Sequence, residues 1–188
     1  MLEAGVKFFA CLGNHDRANE HFYKPFNMGE KRYYSFKNGN AEFFALDSTY
    51  NYMDAEQLAW VKDSLRKSNA AWKICYFHHP LYTNGRFHGP DVDLRARLEP
   101  VLVANGVRVV LSGHQHAYER LKSQDGIYYF VLGNAGQLRP HDLRPSTQTA
   151  KGFDTDRCFM PMEIAGDRLY FQTISRTGQT VDSGAIER

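Results

Sequence analysis

Four short polar stretches carry residues that could do chemistry: Gly13-Asn14-His15-Asp16, His78-His79-Pro80, Gly113-His114-Gln115-His116 and Asn134-Ala135-Gly136-Gln137. Each follows an apolar run of strand length: FFACL, ICYF, VVLS and YYFVLG. Six of the eight histidines lie in or beside these stretches: His15, His78, His79, His88, His114 and His116. His21 and His141 read as ordinary surface or packing residues. Imidazole nitrogens with an amide oxygen, here that of Asn14, suit zinc, iron or manganese. His114 and His116 are two apart, so in an extended segment their side chains point the same way. From a loop, the same pair can serve two adjacent ions. Ligands of open α/β sheets sit beyond the carboxyl ends of the strands, so the four stretches should converge on one rim.

A charge count constrains this centre. Asn and neutral His bring no negative charge to a divalent ion, whereas hydrolytic two-metal sites use carboxylates to balance and bridge the ions. Asp16 reads as support for its own tight loop. Asp47 reads as the cap of the turn that follows its strand. The bridging carboxylates are therefore expected upstream of residue 1. An internal parallel points the same way: LEAGVKFFACLGNHD matches VANGVRVVLSGHQH in its Gly, Val, basic residue, apolar run and Gly-polar loop. Gly106 follows a predicted helix and suits its C-terminal cap. By analogy Gly5 closes a helix too short to stand alone, so Met1 is expected inside the last turn of a longer helix. The expectation is one partial domain over 1–188, with its N-terminal strands and helices missing.

The positioning elements follow from local pattern. Val6–Leu12 has strand length. Arg32–Lys37 and Ala41–Asp47 flank Asn38-Gly39, a hairpin signal. Asp54 with Gln57 is a capping-box pattern that opens a helix to Lys67, with Leu58, Val61 and Leu65 on one face. Trp72–Phe77 reads as a buried strand. Leu94, Leu98, Val101 and Leu102 mark a second helix strained by Pro100. Val107–Leu111 is a strand. Tyr118–Lys122 and Ile127–Leu132 bracket Gln124-Asp125-Gly126, and Cys158–Ile164 and Arg168–Ser175 bracket Gly166-Asp167. The whole is an α/β layout ending in antiparallel strands.

The composition permits a globular core: 188 residues, 43% hydrophobic and 14% aromatic. A formal net charge of +2 argues for neither nucleic acid nor a membrane surface. No apolar run approaches the ~18 residues of a membrane helix. Cys11, Cys75 and Cys158 read as free thiols rather than a disulfide framework.

The stretches GNHD at 13–16, FHHPLY at 77–82 and GHQHAYER at 113–120 resemble the calcineurin-like metallophosphoesterase superfamily, most closely its purple acid phosphatase-like branch. The helix DAEQLAWVKDSL also looks like that family's. The resemblance implies a two-layer metallophosphoesterase β-sandwich flanked by helices, with two metal ions (iron, zinc or manganese) at one end. It implies that Asn14, His78 and His114 bind the second ion and His116 the first. It gives His15 a role in contacting phosphate and protonating the leaving oxygen, and His88 a second phosphate contact. His79 has no metal role in the pattern, and Tyr118, Glu119 and Arg120 pack and orient the site. The family's Asp-x-His and Gly-Asp-x-x-Asp segments are absent. The implied reaction of a longer parent is hydrolysis of phosphate esters, on a small molecule or a phosphoprotein. A phosphodiesterase or nuclease of the same superfamily, or a non-catalytic metal-binding domain, are the alternatives. The chain as given is expected to bind at most one ion, weakly, and to be inactive alone. The resemblance also implies export of the parent.

Overall fold

The computed structural model describes residues 5–16, 26, 28, 31–49 and 54–188. Its ordered elements run β1 (Tyr34–Asn38), β2 (Ala41–Ala45), α1 (Ala55–Lys67), β3 (Trp72–Phe77), α2 (Val92–Ala104), β4 (Val109–Ser112), β5 (Tyr118–Leu121), β6 (Tyr128–Leu132), β7 (Thr149–Phe153), β8 (Cys158–Phe159), β9 (Met162–Ala165), β10 (Arg168–Ser175) and β11 (Thr180–Glu187). A seven-stranded sheet has the order β1-β2-β3-β4-β6-β5-β7, and a second sheet has β11-β10-β8 with β9 also on β10. Strands β2, β3, β4 and β6 are parallel neighbours. Their carboxyl ends therefore share one rim.

Strands buried on both faces need cover on both. On one face Phe44, Cys75, Phe77, Val110, Tyr129 and Val131 pack against Val61 and Leu65 of α1 and Leu94, Leu98 and Leu102 of α2. On the other, Trp72, Ile74, Val109, Tyr118 and Phe130 meet Leu169, Phe171, Val181 and Ile186 of the second sheet. This is the helix-flanked sandwich that the resemblance implies. No helix among the described residues is long and apolar enough to cross a membrane.

The caps explain where the helices begin. Asp54 Oδ1 accepts from the Gln57 amide at 2.8 Å. Gln57 does not reach back to complete a capping box. Its amide side chain instead clasps Asp47, accepting from the Asp47 N–H at 2.7 Å and donating to the Asp47 carbonyl at 2.8 Å. Asp91 caps α2 by accepting from the Leu94 amide at 2.9 Å, and the helix continues through Pro100 to Ala104.

Three expectations are corrected. Val6–Leu12 forms no strand: Phe9 stacks on Phe36 with centroids 3.7 Å apart, and Leu12 packs with Met28, Tyr34 and Ala45. That run lies on the face of the sheet, where an apolar segment gains burial without joining a ladder. The first hairpin pairs Asn38 with Ala41, so its turn is Gly39-Asn40, one residue later than read. Cys158–Ile164 splits into β8 and β9 around Pro161, which has no N–H to donate. Strands β7 and β11 were not anticipated. Gly106 ends α2 with φ of +70°, and Gly5 has the matching +73°. The helix expected before Gly5, like His21, lies outside the described residues.

Candidate metal centre

Residues 13–16 close on themselves. The Gly13 amide donates to Asp16 Oδ2 at 2.6 Å, and the Asp16 amide donates to the Gly13 carbonyl at 3.0 Å. Asp16 thus holds its loop, and Asn14 and His15 stand outward. Gly13 lies against the His78 ring, where a Cβ would sit 2.9 Å from Nδ1. Only glycine permits that approach. His78 follows the last residue of β3, and its carbonyl accepts from the Gly113 amide at 3.0 Å. Beyond β4 the chain makes two successive three-residue turns: the Gln115 amide donates to the Gly113 carbonyl at 2.7 Å, and the Ala117 amide to the Gln115 carbonyl at 2.8 Å. His114 and His116 are their apices, so tight turns rather than an extended segment present the pair. His114 adopts φ of +63°, a left-handed conformation that costs a non-glycine residue roughly 1–2 kcal/mol. Gln115, between them, is fully buried.

These loops bring three donor atoms together. His78 Nε2 lies 2.8 Å from Asn14 Oδ1 and 3.1 Å from His114 Nδ1. Ligands of a common ion with bonds near 2.0–2.1 Å stand roughly 3–3.5 Å apart, and His78 Nε2 stands near that spacing from each of the other two. The His88 ring is 4.0 Å from that of His114 and 5.7 Å from that of His116. Asn14, His15, His78, His88, His114 and His116 all line one cleft of about 630 Å³. His116 Nδ1 is buried there without a hydrogen-bond partner. His79 comes close as well, its ligand atom within 4.8 Å of those of His78 and His114. Its Nδ1 is engaged by Ser48 Oγ at 3.0 Å, and that oxygen also accepts from the His79 amide.

Burial sets the charge state of the cluster. It pushes His78 down to about 4 and His114 down to about 3, with the neighbouring imidazoles adding to both shifts. His79, His88 and His116 are lowered too, again chiefly by burial. The five imidazoles are neutral at pH 7, with lone pairs available to a cation. Among the described residues, the group of three or more His, Cys, Asp or Glu with convergent ligand atoms is His78, His79 and His114, without a carboxylate. Asp47 is committed elsewhere. Its Oδ1 accepts from the Thr49 amide and hydroxyl at 2.7 and 2.5 Å, and Arg32 pairs with Oδ2.

The stretch after His116 braces the site in two directions. Tyr118 and Arg120 reach Asp182 of the second sheet: the tyrosine hydroxyl donates to Oδ2 at 2.7 Å and Arg120 Nε at 2.7 Å. Glu119, fully buried, accepts from the Thr83 hydroxyl, the Asn84 amide, the Asn84 side chain and the Thr149 hydroxyl at 2.5–2.9 Å. It thereby ties the approach to His88 onto β5 and β7. Two further residues line the cleft that sequence reasoning passed over, Phe87 and Arg139. One adjoins His88. The other lies two positions past the last loop singled out.

Comparison with known proteins agrees with the geometry. A sequence model described as calcineurin-like phosphoesterase matches residues 1–118. Purple acid phosphatase 18 of Arabidopsis thaliana is 35% identical over 126 residues, 61% of this chain and 29% of that protein. Tartrate-resistant acid phosphatase type 5 of Rattus norvegicus is 26% identical over 140 residues, 70% of this chain and 42% of that protein. Among solved structures, purple acid phosphatase PPD1 from yellow lupin seeds shares the fold, with a TM-score of 0.72 at 21% identity over 85% of this chain and 33% of that one. The chain spans less than half the length of these relatives. Family match, helix-flanked sandwich and histidine-lined rim agree: the chain belongs to the calcineurin-like phosphoesterase family.

Proposed function

We propose that a longer parent of this chain hydrolyses phosphate esters with metal ions held at this cleft, as a phosphomonoesterase of the acid-phosphatase type. The observation that carries the reading is the approach of Asn14 Oδ1 and His114 Nδ1 to one atom, His78 Nε2, at 2.8 and 3.1 Å, in a chain of a phosphoesterase family. Those three atoms would hold one ion, and His116, with its unpartnered Nδ1, would serve the second. Zinc, iron or manganese bound there polarises the phosphoryl group and lowers the pKa of water. The chain's own residues do the rest. His15, on the exposed side of its turn, gives a proton to the leaving oxygen. His88 places a ring nitrogen toward a phosphoryl oxygen. The substrate is a small phosphate ester or a phosphoprotein; similarity to two acid phosphatases supports a phosphate ester.

A second reading is a domain that binds a metal without turnover, favoured by the absence of a carboxylate from the convergent cluster of described residues. One assay separates them, on a chain extended to the length of its phosphatase relatives: p-nitrophenol release from its phosphate ester with zinc, manganese or iron supplied. Turnover that His114→Ala abolishes supports hydrolysis. Stoichiometric zinc binding without turnover above the free ion supports the second reading.

A further inference from the structure

Arg139 lines the same cleft as the candidate ligands. Its guanidinium carbon lies 3.5 Å over the Phe87 ring, and its Nη1 is buried with no hydrogen-bond partner. Its backbone amide donates to the His116 carbonyl at 3.2 Å, which fixes where the side chain starts. Phe87 is 64% exposed, unusual for so large an apolar ring, and its edge meets His88 with centroids 4.6 Å apart. The ring therefore bridges the cation and His88. A guanidinium stacked on an aromatic face uses its π surface and keeps its in-plane N–H groups free. Those donors match phosphate oxygens in geometry and charge. A buried, unpartnered N–H is costly unless a ligand satisfies it.

We infer that Arg139, held over Phe87, is an anion-binding residue of the cleft that takes a phosphate oxygen beside His88 and His116. The inference rests on the phosphoesterase reading for its ligand, and adds a fixed cation that acts whether or not a metal ion is bound. Phe87 positions that cation.

The test is calorimetric titration of inorganic phosphate into the protein after chelation of metals, with thermal unfolding of each variant alongside. Arg139→Gln should weaken phosphate binding about 10–100-fold, the range of a lost hydrogen bond to a charged group. Arg139→Lys should fall between it and the wild type, since it keeps the charge and loses the planar fork. Phe87→Leu should weaken binding about threefold or more, as the cation loses its platform. Three results overturn the inference: no phosphate binding by the chelated wild type, an Arg139→Gln affinity within twofold of wild type, or Arg139→Lys as poor as Arg139→Gln. The hydrolysis assay keeps the two readings apart. Turnover with phosphate binding insensitive to Arg139 refutes only this inference. Arg139-dependent phosphate binding without turnover refutes only the phosphomonoesterase reading.

Discussion

Residues 5–16 and 106–116 are written in the same grammar and meet at the same point, yet they travel there differently. The second becomes β4, hydrogen-bonded on both sides by β3 and β6, with Val109 and Val110 buried. The first lies over the sheet. Its Ala10 amide donates to the Phe26 carbonyl at 3.4 Å, and its Ala10 carbonyl accepts from the Tyr34 hydroxyl at 2.6 Å. An apolar run of strand length thus joins a ladder only where a neighbour offers an edge. Otherwise it buries its side chains and finds hydrogen bonds among side chains and loops. Both routes end in a Gly-polar turn, and the turns deliver Asn14 and His114 to the two sides of the His78 nitrogen.

The comparison can be broken at its chemistry first. In a parent of the relatives' length, His15→Ala, on the first stretch, should lower kcat about 10²–10⁴-fold, the usual worth of a general acid, while zinc content by atomic absorption stays at the wild-type level. Loss of zinc with activity would erase the distinction between proton donor and ligand.

At the ligands the stretches should differ in degree. His114→Ala should lose more than the roughly 10–100-fold in zinc affinity that an outer partner costs. Asn14→Ala, which removes only an amide oxygen, should lose less. Competition titration against a chromophoric chelator reads both, and equal losses would make the two stretches equivalent donors.

Packing gives the next contrast. Val110→Ala removes two methyl groups from a fully enclosed site and should cost about 2 kcal/mol. That lowers the thermal midpoint by roughly 4–8 °C for a chain of this size. Cys11→Ala, on the half-buried overlay, should shift it by about 2 °C or less. Burial raises the Cys11 thiol to about 12, so it stays a neutral packing group. A large drop for Cys11→Ala would mean that the overlay is as integral as β4.

The smallest effect concerns what fastens the second stretch beyond its turns. Burial alone would raise the Asp182 carboxyl, but Arg120 and Tyr118 overcome it and hold the group below the usual carboxylate range. The folded pKa lies below the unfolded one, so its stabilisation is present above the unfolded value near 4 and is lost as pH falls through the folded value. Wild type should therefore lose about 1 kcal/mol more than Asp182→Asn on acidification from pH 5 to pH 2. Parallel urea midpoints for the two would remove Asp182 from the account.

The contrast also shows what the amino-acid order can reveal. Trp72–Phe77 and Arg168–Ser175 were readable to the residue, because an apolar run or a strict alternation bounded by turn residues is a local statement. Thr149–Phe153 and Thr180–Glu187 were not. TAKGF and TVDSGAIE carry little apolar signal, and they become strands because β5 and β10 offer edges. At the site, His15, His78, His88, His114, His116 and Asn14 were visible as types in a repeated strand-end setting. Arg139 was not, since an arginine in a Gly- and Pro-containing loop has no period to betray it. Its stacking on Phe87 spans 52 positions of chain and exists only in three dimensions.

The four hydrogen bonds of Glu119 have a consequence in time rather than in shape. Swinging residues 83 and 84 away from the sheet would leave a buried carboxylate with only one of its four donors, a penalty of several kcal/mol. Small local fluctuations therefore do not release this segment, although it leads into an exposed loop. The Asn84 amide hydrogen should consequently trade with deuterium as slowly as those of the central strands, at the rate of cooperative opening. His88 then sits at the end of a short tether whose root keeps the slow clock of the core.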